Sequence, residues 1–208
     1  TLTITCDASI DIADMLNGSP PSETIWVQVR HYHHGDDEAP IMWIGYVGSR
    51  KQTNKVTVEL VCKMLTAGFD RDGARLTYGR QCPHALYDLA CTVDKTAYAV
   101  TIEVEKIVGN VIYSDALGDF DSGYFSNGFF SWSRYEGALD RRGVENHAGK
   151  KLAILGTASG LAVGTLITLY PGCSRTRSSC INKFNNLSNY GGFPHLPGDS
   201  PFQGDPIY

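Results

Sequence analysis

The stretch Val56-Thr57-Val58-Glu59-Leu60-Val61-Cys62 alternates strictly: Val56, Val58, Leu60 and Cys62 fall on one side, Thr57, Glu59 and Val61 on the other. A period of two is the signature of a half-buried β-strand. The same period recurs in both directions along the chain. Leu2, Ile4 and Cys6 alternate with threonines, and Ile25, Val27 and Val29 alternate with Trp26, Gln28 and Arg30. Tyr98, Val100, Ile102 and Val104 repeat the pattern, and residues 163–170 form a further strand-like run. Turn signals separate these runs at Asn17-Gly18, Gly109-Asn110 and Ser126-Asn127-Gly128. Long helical periodicity is missing. The chain reads as mainly β (α+β minor), with one or two short helices.

A boundary is expected near Thr66-Ala67-Gly68, where alternation gives way to Asp70-Arg71-Asp72-Gly73. This divides the chain into a small N-terminal β-rich domain, residues 1–66, and a β-rich domain with a short helix, residues 67–208. Cys6 and Cys62 lie on the apolar faces of strands in the first and read as buried thiols behaving as small hydrophobes. The second holds two local cysteine pairs, Cys82 with Cys91 and Cys173 with Cys180. Each pair sits among turn-forming or helix-starting residues, as a site assembled from loops requires.

Four cysteines in two pairs admit three chemistries. Disulfides belong to oxidising compartments and small cores. No apolar run near Thr1 resembles a signal peptide, and 208 residues can bury a core that needs no staples. Zinc held by four cysteines favours gaps of about two to four residues, whereas the gaps here are eight and six. The tight spacings of ferredoxins are missed as well. Spacing alone therefore points to a Cys-ligated centre and leaves the metal open. Residues 83–90 are expected to form a short helix with Pro83 in its first turn. Cys82 would stand at the helix N-terminus, where free N–H groups stabilise a thiolate. A continuous helix would hold Cys82 and Cys91 about 13.5 Å apart, so it has to end early and let the chain curl back. Arg175 and Arg177 lie inside the second pair, either offsetting thiolate charge or as solvated loop residues.

Composition sets bounds on function. A net charge of −4 gives no electrostatic footprint for nucleic acid, and no stretch is long enough to span a membrane. Charged residues make up only 19%, which fits a surface covered by partners. The run His31-Tyr32-His33-His34-Gly35-Asp36-Asp37-Glu38 reads as a polar hairpin loop rather than a divalent-metal site. A Cys–His hydrolase built on Cys82 with His84 or His147 lacks a nucleophile signature, and no zinc-protease or phosphate-loop motif is present. The expectation is a protein that is not an enzyme. Trp43, Tyr124, Phe125, Phe129, Phe130 and Trp132 are candidates for subunit contacts or, equally, for strand core.

The C-terminal stretch adds a resemblance. Pro171-Gly172-Cys173, Cys180, Phe184-Asn185-Asn186 and Asn189-Tyr190-Gly191-Gly192-Phe193-Pro194-His195-Leu196-Pro197-Gly198 follow in close order. Together with Cys82-Pro83-His84-Ala85-Leu86-Tyr87-Asp88-Leu89-Ala90-Cys91-Thr92-Val93-Asp94 and Val144 to Leu155, they resemble the tail-tip hub family of long-tailed phages and gene-transfer agents. The iron–sulfur tail-tip protein of lambda-like phages is similar. The resemblance covers roughly residues 67–200, and residues 1–66 match more loosely. It implies that Cys82, Cys91, Cys173 and Cys180 ligate a structural [4Fe–4S] cluster (zinc being the alternative metal), with Asn185, Asn186 and the Gly191-Gly192-Phe193-Pro194 loop shaping its surroundings. It further implies a structural tail-tip component made in the bacterial host cytoplasm and carried in the virion. Its partners would be itself in a ring of three, a distal tail protein, a central tip or receptor-binding protein, and the tape-measure protein. Two readings from other classes stand beside it: a redox-active iron–sulfur protein and a cell-wall-degrading tail enzyme.

Overall fold

The computed structural model describes residues 1–17, 20–35, 37–69, 78–135 and 138–196. The turn position Gly18, Asp36, the Asp70–Gly73 run and the motif end Pro197-Gly198 lie outside them. The fold is mainly β, as the period-two pattern requires: two sheets with two short helices among the described residues. The chain separates into two compact units. One comprises Thr1–Gly73 with Trp132–Arg141 and Ser159–Leu161, and the other holds the remainder.

In the first unit, β1 (Leu2–Asp7), β4 (Thr57–Met64), β3 (Ile41–Gln52) and β2 (Trp26–Arg30) form an antiparallel sheet in that spatial order. The stretch that defines the pattern behaves as its alternation requires. Val58, Leu60 and Cys62 are buried while Thr57, Glu59 and Val61 are only partly covered. Val56 departs from it: the Asn54 side chain accepts from the Val56 and Thr57 N–H groups at 2.8 and 2.7 Å, so a turn claims this valine and leaves it 60% exposed. Helix α1 (Asp11–Met15) contributes Ala13 to the same core, with Leu2, Ile4, Cys6, Val27 and Trp43 packed around it. Burial pushes the Cys62 thiol up, as desolvation of a would-be thiolate must. The connection from β2 to β3 carries the histidine run as an exposed loop, closed by His31 N–H to the Pro40 carbonyl at 3.1 Å. Also within this unit, the buried Asp140 carboxylate meets Arg134 at 3.2 Å and accepts from the Ser22 N–H and hydroxyl at 2.9 and 2.8 Å.

The larger sheet has the order β5 (Val100–Glu103), β11 (Leu166–Tyr170), β8 (Phe129–Tyr135), β9 (Ala138–Ala148), β10 (Lys151–Ile154), β7 (Val111–Tyr113) and β6 (Lys106–Val108). Its tight hairpin β6–β7 turns at Gly109, whose φ of +62° explains the glycine. β5 starts two residues later than alternation alone places it. The Asp94 carboxylate accepts from the Thr96 N–H and hydroxyl and pulls 96–98 into a 3₁₀ turn. Phe125, Phe130 and Trp132 are buried, which makes them core residues and removes them from the subunit-contact candidates; Trp43, Tyr124 and Phe129 are partly covered.

Leu60 is 4% exposed at the centre of the smaller sheet. Leu60→Ala should lower unfolding stability by about 2–5 kcal/mol, read from the midpoint of a urea titration.

Candidate metal centre

The first cysteine block is not a helix. Residues 83–90 form successive turns, and the reason is Asp88. Its carboxylate accepts from the N–H groups of Ala85 at 3.1 Å, Ala90 at 3.0 Å and Cys91 at 2.6 Å. An aspartate that captures neighbouring N–H groups competes directly with the helical ladder. Tyr87 at φ +69° and Thr92 at φ +61° then reverse the chain. The curl that brings Cys91 back is thus a side-chain-organised loop. Cys82 has no helix terminus behind it; its N–H donates instead to the Arg175 carbonyl at 3.0 Å.

The second block begins where β11 ends. Pro171-Gly172 carries the chain across the 126–128 turn so closely that a Cβ on Gly172 would strike the Ser126 carbonyl oxygen and the backbone of Asn127 and Gly128. That contact is available to glycine alone. Cys173 follows, its sulfur accepting from the Arg175 N–H at 3.3 Å. Thr176 caps α2 (Arg177–Asn182) by accepting from the Ser179 N–H at 3.3 Å. Cys180 sits buried on this short helix, its thiol donating to the Asn186 carbonyl at 3.1 Å.

Further hydrogen bonds join the blocks besides Cys82 to Arg175. The Asn186 side-chain amide donates to the Cys91 carbonyl at 2.5 Å and lies 3.9 Å from the Cys91 sulfur. Asn189 steadies that amide, donating to the Asn186 side-chain oxygen at 2.7 Å. Tyr87 donates its hydroxyl to the Pro171 carbonyl at 2.8 Å, with its ring edge-on to Phe129, Tyr170 and Phe184. The Tyr190 hydroxyl completes the wall by donating to the Arg80 carbonyl at 2.7 Å.

As a result, Cys82, Cys91, Cys173 and Cys180 all line one cavity of about 160 Å³, together with His84 and Phe184. All six cysteines are free thiols in the structure. Burial, followed by the other three cavity cysteines, pushes the Cys180 thiol up. Burial, neighbouring tyrosines, Cys173 and Cys91 push the Tyr87 hydroxyl up. Both shifts reflect several groups that would carry negative charge gathered in a poorly solvated space. Four soft sulfur donors around a void are the donor set of an iron–sulfur or zinc centre. Among the described residues, no group of three or more His, Cys, Asp or Glu side chains is disposed to hold a metal ion. The described residues of the histidine run form no such group either.

Of the other expected residues, Arg175 lines the cavity at φ +59°, whereas Arg177 is exposed on α2. Gly191 has no room for a side chain because His84 occupies the place of its Cβ. His147 does not line the cavity; it is buried with Nε2 3.3 Å from the Leu117 carbonyl oxygen. The roles of Asp88 and Tyr87 escape the sequence reading, as does α2. A cue for α2 is present in Thr176, placed three residues before Ser179 as an N-cap would be.

The fold belongs to a class already seen in assembled particles. A chain in the solved structure "Virion of native gene transfer agent (GTA) particle" superposes with a TM-score of 0.74 at 22% sequence identity, covering 88% of this chain and 65% of that one. The likeness is one of fold, and this chain spans about 65% of the length of its counterpart. More particularly, residues 123–200, which include Cys173 and Cys180, match the family described as "Phage conserved hypothetical protein BR0599". No curated protein matches the chain. Among the described residues, no helix is long and apolar enough to cross a membrane.

Asp88→Ala removes the acceptor for three N–H groups at once. It should lower stability by about 1–3 kcal/mol and speed hydrogen exchange at Ala90 and Cys91 before the β-sheet amides, as followed by two-dimensional NMR.

Proposed function

We propose that this chain is a structural component of a phage-type virion, a hub at the distal tip of a long tail, and that Cys82, Cys91, Cys173 and Cys180 hold a [4Fe–4S] cluster there. The observation that carries the reading is the cavity: two cysteine blocks about ninety residues apart in sequence present all four sulfurs to one space. The match of residues 123–200 to a phage family and the fold shared with a gene-transfer-agent virion chain support the virion setting.

When bound, the cluster supplies iron corners that cross-link four thiolates. The chain's own residues do the rest. Asn186 and the Cys82–Arg175 hydrogen bond fix the two loops relative to each other. Asp88 holds Cys91 on its turn. Tyr190 and Phe184 line the cavity and limit the access of water to it. Ligation requires the thiols to lose their protons, so loading takes up metal as it releases acid. Because only the folded chain presents the four ligands together, binding free energy adds to folding stability.

The role is assembly rather than catalysis. The neighbours would be further copies of the chain in a ring of three, a distal tail protein, a central tip or receptor-binding protein, and the end of the tape-measure protein. The experiment is complementation in the particle that carries the chain, with electron microscopy of the tails. Wild-type protein should appear at the tail tip, and Cys173→Ser should give particles with missing or aberrant tips and at least about a hundredfold fewer infectious units. Cys62→Ser should still assemble. Normal, infectious tails with Cys173→Ser would remove the structural-cluster reading.

A further inference from the structure

Lys183 is half-buried, yet among the described residues it has no carboxylate partner. Its ammonium donates to two main-chain carbonyls, that of Tyr124 and, at 2.7 Å, that of Gly172. It also lies 4.6 Å from the centre of the Tyr124 ring and 5.5 Å from that of Phe184. Both carbonyls and both rings are neutral. Burying a cation among neutral groups costs free energy unless an opposite charge is near. Burial draws the Lys183 pKa down, and Cys173, which directly follows the Gly172 carbonyl that the ammonium holds, draws it back up.

The placement is specific. Gly172, whose carbonyl Lys183 holds, immediately precedes Cys173, and Phe184, the next residue after Lys183, lines the cysteine cavity. Lys183 also follows Cys180 by three residues, with its N–H bonded to the Ser179 carbonyl at 3.1 Å. One cation thus ties together the backbone that presents the second cysteine pair. Arg175 lines the cavity itself, whereas Lys183 lies behind the Gly172–Cys173 backbone, but Arg175 sits on an exposed loop where water and salt screen its charge. A half-buried charge is screened far less.

We infer that Lys183 is the built-in countercharge of the four-thiolate site: a positioning residue that straps Gly172 against Tyr124 and whose positive charge favours the more negative state of whatever cluster the cysteines hold. The inference rests on the iron–sulfur reading above. A one-electron reduction adds negative charge to the site without making or breaking a bond, so a fixed neighbouring cation favours the reduced form.

The test compares reconstituted full-length wild type with Lys183→Arg, Lys183→Gln and Lys183→Met. Dithionite supplies the electron in a mediated potentiometric titration, and loss of visible absorbance under an iron chelator is followed in parallel. Arginine keeps the charge, and glutamine keeps a donor without it. Loss of the charge should weaken reduction about tenfold, a shift of 59 mV to lower potential for one electron, and should speed chelator loss by a similar factor. Lys183→Arg should stay within about twofold of wild type. Should Lys183→Met fail to fold, the glutamine and arginine variants carry the comparison. Wild-type potential and chelator rate in Lys183→Gln, or an arginine variant displaced as far as the glutamine one, would overturn the countercharge role. A wild type that takes up no iron would instead overturn the cluster reading itself, and this inference with it.

Discussion

One hydrogen bond sets the frame for the site: the Cys82 N–H donates to the Arg175 carbonyl at 3.0 Å. It joins the loop after residue 78 to the loop after β11, and the Arg175 N–H in turn donates to the Cys173 sulfur at 3.3 Å. A cysteine from each pair is therefore placed through the backbone of a single residue. Asn186 does the same on the other side, holding the Cys91 carbonyl with its amide while its own carbonyl accepts from Cys180. Neither clamp could form if Gly172 had a side chain, because the loop would be pushed away from the 126–128 turn. The geometry of the four sulfurs thus depends on main-chain contacts rather than on the sulfurs themselves.

Much of the scaffold could be read from period-two alternation, because burying one face of a strand requires it. β4 shows this most plainly, with Val58, Leu60 and Cys62 turned inward one after another. What could not be read were places where a side chain competes with the backbone. Asn54 takes Val56 out of its strand, Asp94 shortens β5, and Asp88 replaces the helix expected over 83–90. Each is an Asn or Asp next to N–H groups that regular structure would otherwise use, and propensity alone does not say which partner wins. The cysteine pairs were legible as a candidate site because four like donors are rare. Lys183 was not, since a lysine in a loop ordinarily points to water, and only the packed structure shows its ammonium held by two carbonyls.

Electrostatics and packing pull the same way around the cavity. Burial and the clustered cysteines push the Cys180 thiol and the Tyr87 and Tyr190 hydroxyls up, so the cavity disfavours an uncompensated negative charge at these three groups. A multivalent cationic centre reverses that balance by pairing each thiolate with metal. On the proposed reading the same space would accept a ligated Cys180 more readily than a bare thiolate. Loading would then complete the fold of the cysteine loops, with ligands drawn from chain segments distant in sequence.

The claim that these four cysteines share one polynuclear centre is tested most directly by an anaerobic ultraviolet–visible spectrum with iron and acid-labile sulfide analysis on the same sample. The account predicts broad visible absorbance and about four irons and four sulfides per chain, all lost in Cys91→Ser and retained in Cys62→Ser. A colourless protein with one zinc per chain, or one with no metal and its cavity cysteines oxidised to disulfides, would contradict it.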